Sequence, residues 1–241
     1  MKKLILANWK MNLGVAASRR LARSLVDLQS PLEVGLCPST ESLSEVKRII
    51  GKRLRLGAQN CSHETSGAHT GETSAVSLRE LGCVYVIIGH SERRALGEDC
   101  VLINKKLQAA LDAGLTPVLC VGETAAQNKD NRGLVVIRGQ LQRALRGLKL
   151  GRQCLLIAYE PLWAIGSGHP AAVKAAEDRQ SAIKEMARRI LGLARPPRVL
   201  YGGSVSAKNA VAFLREPDID GLLVGGASLQ ASEFKKIANF K

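Results

Sequence analysis

The strongest constraint on how this 241-residue chain can fold is a repeat. Short apolar runs recur about every 30 residues, the length of one strand and one helix. They are Leu4–Ala7, Val34–Cys37, Leu54–Ala58, Val84–Ile88, Pro117–Val121, Cys154–Tyr159, Val199–Tyr201 and Gly221–Val224. Helix-period stretches lie between them, among them Ser18–Gln29, Ser42–Ile50, Val101–Ala113, Val135–Leu148, Ala172–Leu191 and Ala207–Leu214. Alternation of this kind predicts an α/β fold with a parallel sheet, and eight repeats predict closure into an eight-stranded (β/α)8 barrel. An open doubly wound sheet would want Gly-x-Gly-x-x-Gly after its first strand. Asn8-Trp9-Lys10-Met11-Asn12 stands there instead. No linker or low-complexity segment interrupts the pattern, so residues 1–241 are expected to form a single catalytic domain.

Composition narrows the function. Only 3% of residues are aromatic, so Leu, Val, Ile and Ala must fill the core, which suits the layered interior of a barrel. Lys and Arg outnumber Asp and Glu by 35 to 21, a net charge of +14 that raises the question of a nucleic-acid partner. The cations are scattered over helices without a dense run or interleaved aromatics, so the expectation is no nucleic acid and a general attraction for small anions. Six cysteines show no Cys-x-x-Cys spacing and several lie in apolar runs. They read as buried, reduced thiols of a cytoplasmic protein. The apolar start Leu4–Ala7 is too short for a signal core, and no stretch approaches a membrane span.

Chemistry concentrates at the predicted carboxyl ends of strands, where barrel enzymes carry their active sites. The sixth run delivers Glu160 into Pro161, which cannot continue a ladder and confines Glu160 to extended geometry. An aromatic, an Ala-Ile tip and two glycines follow, through Gly168, a composition suited to a lid over a neighbouring acid. A lone Glu-Pro is commonly an ordinary surface turn; the company it keeps decides. Asn8 and Lys10 end the first strand, and alternation would point both to one side. His90 follows Gly89 at the end of the fourth strand, ahead of a helical start at Ser91–Arg94 whose free N–H groups would disfavour a second ring proton. Gly202-Gly203-Ser204 and Gly225-Gly226 follow the last two strands and let bare N–H groups approach an anion, the usual phosphate position in a barrel. The long polar loop 60–74 holds Cys61, His63 and His69, but three soft ligands without a fourth do not make a zinc site, and no metal is expected.

Taken together these motifs resemble the triosephosphate isomerase family from Asn8 to Leu229. The resemblance implies interconversion of dihydroxyacetone phosphate and D-glyceraldehyde 3-phosphate through an enediolate, a step of glycolysis and gluconeogenesis. It implies Glu160 as base, neutral His90 as electrophile and Lys10 as the cation beside the oxyanion. Asn8, Lys10, Gly166, Ser204, Gly225 and Gly226 would bind substrate. It further implies no cofactor and a homodimer joined through loop 60–74. The chain departs from the family pattern at Ser167 and His169-Pro170 in the lid, at His69 in the third loop and at Lys184, where an arginine is usual; residues 127–133 match it poorly. None of these removes a group that does chemistry. Another phosphate-binding barrel isomerase would have no need of Lys10, His90 and Glu160 together, and a non-catalytic descendant would be expected to have lost one of them.

Overall fold

The computed structural model describes residues 2–150 and 154–239. Eight parallel strands close in sequence order: β1 (Leu4–Asn8), β2 (Glu33–Cys37), β3 (Arg55–Ala58), β4 (Cys83–Ile88), β5 (Thr116–Val121), β6 (Leu156–Tyr159), β7 (Arg198–Tyr201) and β8 (Gly221–Val224). The seam pairs Leu4 with Gly221 and Ala7 with Val224. The predicted barrel is therefore present, with strand boundaries within two residues of the apolar runs. Cys154 is a correction: β6 begins at Leu156, and Cys154 is exposed while the other five cysteines are buried free thiols.

Helices cover the strands: α1 (Val15–Leu25), α2 (Leu43–Ile50), α3 (Ala75–Glu80), α4 (Ser91–Ala95), α5 (Cys100–Asp112), α6 (Ala125–Lys129), α7 (Gly133–Ala144), α8 (Val173–Leu191), α9 (Ala210–Arg215) and α10 (Ala231–Ala238). Caps fix several starts. Asp99 accepts the Leu102 N–H at 2.8 Å, and Thr124 forms a capping box with Gln127. Helix α8 ends at Gly192, whose φ of 63° supplies the left-handed stop.

Strand alternation divides the apolar residues into two layers. Leu4, Leu6, Tyr85, Ile87, Val118, Cys120, Leu156, Ala158, Leu200 and Leu223 fill the barrel, while Ile5, Ala7, Val86, Ile88, Leu119, Ile157 and Val199 pack outward against the helices. The parity matters for function. Counting on by two from the inward residues, Leu6 leads to Asn8, Ala158 to Glu160, Leu200 to Gly202 and Leu223 to Gly225.

Under the carboxyl-end loops, a buried ion cluster ties α4 to α5. Glu98 Oε1 accepts from Lys106 Nζ at 2.6 Å and Arg93 Nε at 2.7 Å, and Lys106 also donates to Asn60 Oδ1 at 2.9 Å. Burial alone would push the Glu98 carboxyl up, but the hydrogen bonds from Lys106 and Arg93 outweigh it and hold the group below the usual carboxylate range. A depressed folded-state value stabilises the protein above the ordinary carboxylate range and ceases to do so as pH falls through the lowered value. Stability should therefore decline in acid below about pH 4, and Glu98→Gln should flatten that decline while lowering stability at neutral pH. Urea titrations of both proteins across that range are the check; parallel pH profiles would remove Glu98 from the acid response.

Candidate active site

Three strand ends bring the polar residues together. Glu160 lies one residue beyond β6, and its N–H still donates to Val121 O at 2.8 Å, so the carboxylate inherits the inward parity of Ala158. Pro161 then ends the pairing. Its successor Leu162 nevertheless donates to Glu123 O at 3.0 Å, so the segment stays against β5 on both sides of the proline. Glu160 is 2% exposed. Its Oε2 accepts the Ser91 N–H at 3.0 Å, and its Oε1 lies 3.0 Å from His90 Nε2.

His90 reaches this place by a different device. The outward residues of β4 are Val86 and Ile88, and simple alternation would send residue 90 to the helix layer. Gly89 has φ 68°, a left-handed conformation that a side chain would resist, and it breaks the alternation. His90 then serves as N-cap of α4: its Nδ1 accepts the Glu92 N–H at 3.2 Å. An accepting Nδ1 leaves the ring proton on Nε2, the nitrogen that faces Glu160.

Lys10 also sits at a corrected position. Strand β1 stops at Asn8, and Lys10 has φ 49°, so alternation alone does not place it. Left-handed geometry costs a lysine roughly 1–3 kcal/mol and persists only when the surroundings determine it. Here Asn8 Oδ1 accepts the Lys10 N–H at 3.1 Å, and Gln59 Nε2 donates to Lys10 O at 2.8 Å and Cys37 O at 3.0 Å. The ammonium meets Glu92 Oε1 at 2.6 Å. Gln59 and the Glu92 contact were not anticipated from the sequence; a polar Gln59-Asn60 pair directly after the third apolar run was the available signal.

Asn8, Lys10, His90 and Glu160 line one cavity of about 290 Å³. Its remaining wall is formed by Gly166, Gly168, Gly202, Gly203, Ser204, Gly225 and Gly226, with Ile165, Val205, Leu223 and Ala227 beside them. Every residue expected to touch substrate is thus present, and Gly203 and Gly168 join them. The cavity's floor is two buried acid–base groups and its far side is nearly bare peptide, which suits a small molecule with a reactive polar end and an anionic tail.

The segment expected to form a lid contributes Ile165, Gly166 and Gly168 to this cavity's lining. Gly166 and Gly168 have φ of 66° and 74°, and residues 166–170 are exposed. Ser167 Oγ donates to His169 O at 3.0 Å and accepts the His169 N–H at 3.1 Å, a local closure within the lid itself. At the trailing end, Tyr201 Oη accepts the Ala171 N–H at 3.0 Å, and burial pushes that phenol up to about 12. At the leading end, Tyr159 Oη donates to buried Glu123 at 2.9 Å.

Loop 60–74 folds on itself through Ser62 N–H to Thr73 O at 2.8 Å and Glu72 N–H to His69 O at 3.0 Å, with residues 65–72 exposed. His63 Nε2 lies 3.2 Å from Glu64 and Cys61 is buried, so the three soft residues do not converge. Among the described residues no cluster of His, Cys, Asp and Glu is arranged to hold a metal, and no helix is long and apolar enough to cross a membrane.

Comparison with known proteins agrees with this geometry. The family model described as triosephosphate isomerase matches residues 3–241. The triosephosphate isomerase of Dehalococcoides mccartyi (strain CBDB1) is 44% identical over 249 aligned positions, covering 98% of this chain and 96% of the relative. That of Endomicrobium trichonymphae is 43% identical over 246 positions, covering 99% and 98%. That of Aquifex aeolicus is 41% identical over 243 positions, covering 98% of each. With a closed eight-stranded barrel and a match over nearly its whole length, the chain belongs to the triosephosphate isomerase family.

Proposed function

We propose that the chain interconverts dihydroxyacetone phosphate and D-glyceraldehyde 3-phosphate through an enediolate, as the glycolytic and gluconeogenic isomerase. The observation that carries this reading is the 3.0 Å contact between His90 Nε2 and Glu160 Oε1 inside a cavity that Lys10 shares and whose far wall is rich in glycine.

The contact has mechanistic content. Both oxygens of Glu160 accept a hydrogen bond, from Ser91 N–H and from the His90 ring, and release of one of them turns more of the carboxylate toward a carbon-bound hydrogen. A substrate carbonyl that takes over the His90 donor frees Oε1 for that purpose. Glu160 then accepts the proton from the carbon next to the carbonyl, and the electron pair passes to the carbonyl oxygen. The His90 N–H and the Lys10 ammonium meet the developing oxyanion. Transfer of the hydroxyl proton from one enediolate oxygen to the other by way of the His90 ring, and return of the abstracted proton to the neighbouring carbon, complete the isomerisation. Protons and electrons balance within the substrate, so the chemistry as written calls on no cofactor. Backbone N–H groups at Gly166, Ser204, Gly225 and Gly226 hold the phosphate, with Asn8 beside Lys10, and lid closure keeps the enediolate from water.

A coupled assay of the purified protein in both directions is the test. Turnover in both is expected; phosphate binding without turnover of either triose would overturn the reading.

We infer in addition that residues 1–241 act as one domain in the cytoplasm and pair into a homodimer through loop 60–74. Exposed Met11 and Leu96, 93% and 76% accessible, stand in other carboxyl-end loops and supply apolar surface for a partner to cover. Sedimentation equilibrium at micromolar concentration should give twice the chain mass, and replacement of residues 66–71 by a short Gly-Ser turn should give monomer. A monomer throughout would remove the loop's assigned role.

A further inference from the structure

Glu160 is held by its backbone as well as by its carboxylate partners, and that backbone rests on a glycine. Its carbonyl lies flush against Gly122, where a Cβ would overlap it. Gly122 is the residue after β5, and its neighbours on either side carry the hydrogen bonds to the base segment: Val121 O to Glu160 N–H and Glu123 O to Leu162 N–H. The position of the base therefore follows the position of the short segment 121–123.

That segment begins at the last residue of β5 and runs past the strand's end, where the peptide groups of Gly122 need a partner. A side chain supplies one. Gln140 of α7 accepts the Gly122 N–H on Oε1 at 2.9 Å and donates from Nε2 to Gly122 O at 2.9 Å. The two bonds pair an amide side chain with a peptide unit as a neighbouring strand would, and among uncharged side chains of this length only glutamine offers a donor and an acceptor in that arrangement. Between Gln140, Gly122, Leu162 and Glu160 lies a cavity of about 280 Å³ on the side of the base away from the substrate. If the amide let go, Gly122 would lose both of these bonds, and the nearest tie left on this side is Arg94 donating to Cys120 O at 2.9 Å.

We propose that Gln140 is a positioning residue for the base: through Gly122 it fixes where Glu160 stands relative to the substrate carbon. The inference rests on the isomerase reading above. Proton abstraction tolerates little displacement, with roughly 10²-fold lost for 1 Å. A binding contact elsewhere in the cavity is indifferent to it, because the phosphate loops follow β7 and β8 and Gln140 touches neither.

The test uses Gln140→Met, which keeps most of the volume, and Gln140→Glu, which keeps the acceptor but turns the bond to Gly122 O into repulsion. Active sites are counted with a tight-binding enediolate analogue, so that misfolded protein drops out. Per active site, kcat should fall on the order of 10-fold with KM within about twofold of wild type. Dihydroxyacetone phosphate deuterated at the carbon that loses its proton should show a larger isotope effect in both variants, because abstraction becomes slower than the steps around it. In a Glu160→Asp background, where the carboxylate is already withdrawn, the Gln140→Met penalty should shrink. Unchanged kcat in an active protein overturns the inference alone, as does a fall in kcat with an unchanged isotope effect and multiplicative penalties. An inactive wild type overturns the isomerase reading and this inference with it.

Discussion

Glu160→Gln should give a folded protein that still binds phosphate and turns over roughly 10³-fold or more slowly, within the range lost when a general base is removed. The amide matches the carboxylate in shape, and its oxygen can keep the Ser91 N–H now held at 3.0 Å. What it cannot do is accept a proton from carbon. Glu160→Asp separates charge from reach: the base survives, one methylene short, and the loss should be on the order of 10²-fold. In both variants KM should move far less than kcat, since the phosphate loops are untouched. Steady-state kinetics with active-site counting decide, and near-normal turnover in Glu160→Gln would remove Glu160 as base.

The order in which these residues became legible follows the physics. Barrel class and strand positions could be read from the sequence because a strand buried on both faces needs an unbroken apolar run, and a run needs no partner to be seen. Glu160 and Asn8 inherit parity from Ala158 and Leu6, so their direction was readable too. His90 and Lys10 do not, since each depends on a left-handed residue, Gly89 or Lys10 itself, that resets the alternation. Both can be singled out by their place at a strand's carboxyl end, Lys10 on an alternation that the structure does not continue, and the family resemblance supplies their roles. The short helices α3, α6 and α10, of six, five and eight residues, are not among the helix-period stretches singled out from the sequence, since so few residues carry a weak periodic signal. Cys154 was placed in a strand because it extends an apolar run, and only the Val118 to Leu156 pairing shows that the ladder starts later. The partners of Gln59 and Gln140 are not legible in the sequence for a further reason, although the polar Gln59-Asn60 pair marks the place of the first. Each acts on backbone distant in sequence, 49 residues away for Gln59 on Lys10 and 18 for Gln140 on Gly122, and an amide that pairs with a peptide carries no pattern of its own.

Closure of the barrel depends on one glycine, and its replacement should be strongly destabilising. Gly221 opens β8 and pairs with Leu200 on one side and Leu4 on the other, so it lies in the seam where the last strand meets the first. Its φ is 157°, and a Cβ there would overlap the Leu4 backbone carbonyl. Side chains can turn away from a clash; a paired strand cannot. Relief would require β1 to move off β8 and give up the Leu4 N–H to Asp220 O bond at 3.0 Å, beside the corner where Lys3 donates to Glu216 O and Ile219 O. Gly221→Ala should therefore cost more than about 4 kcal/mol, a large share of the 5–15 kcal/mol typical of a whole protein, and lower Tm by roughly 10 °C or more. The same methyl at Gly139 tests whether location is the cause. Gly139 lies inside α7, where a Cβ would meet only the Arg143 guanidinium at 3.7 Å, and Gly139→Ala should stabilise by about 0.5–1 kcal/mol through helix propensity. Thermal melts of both variants beside wild type give the answer. A Gly221→Ala protein melting within about 2 °C of wild type, less than the shift expected of 1 kcal/mol, would show that the seam can open without loss and that closure is secured elsewhere in the ring.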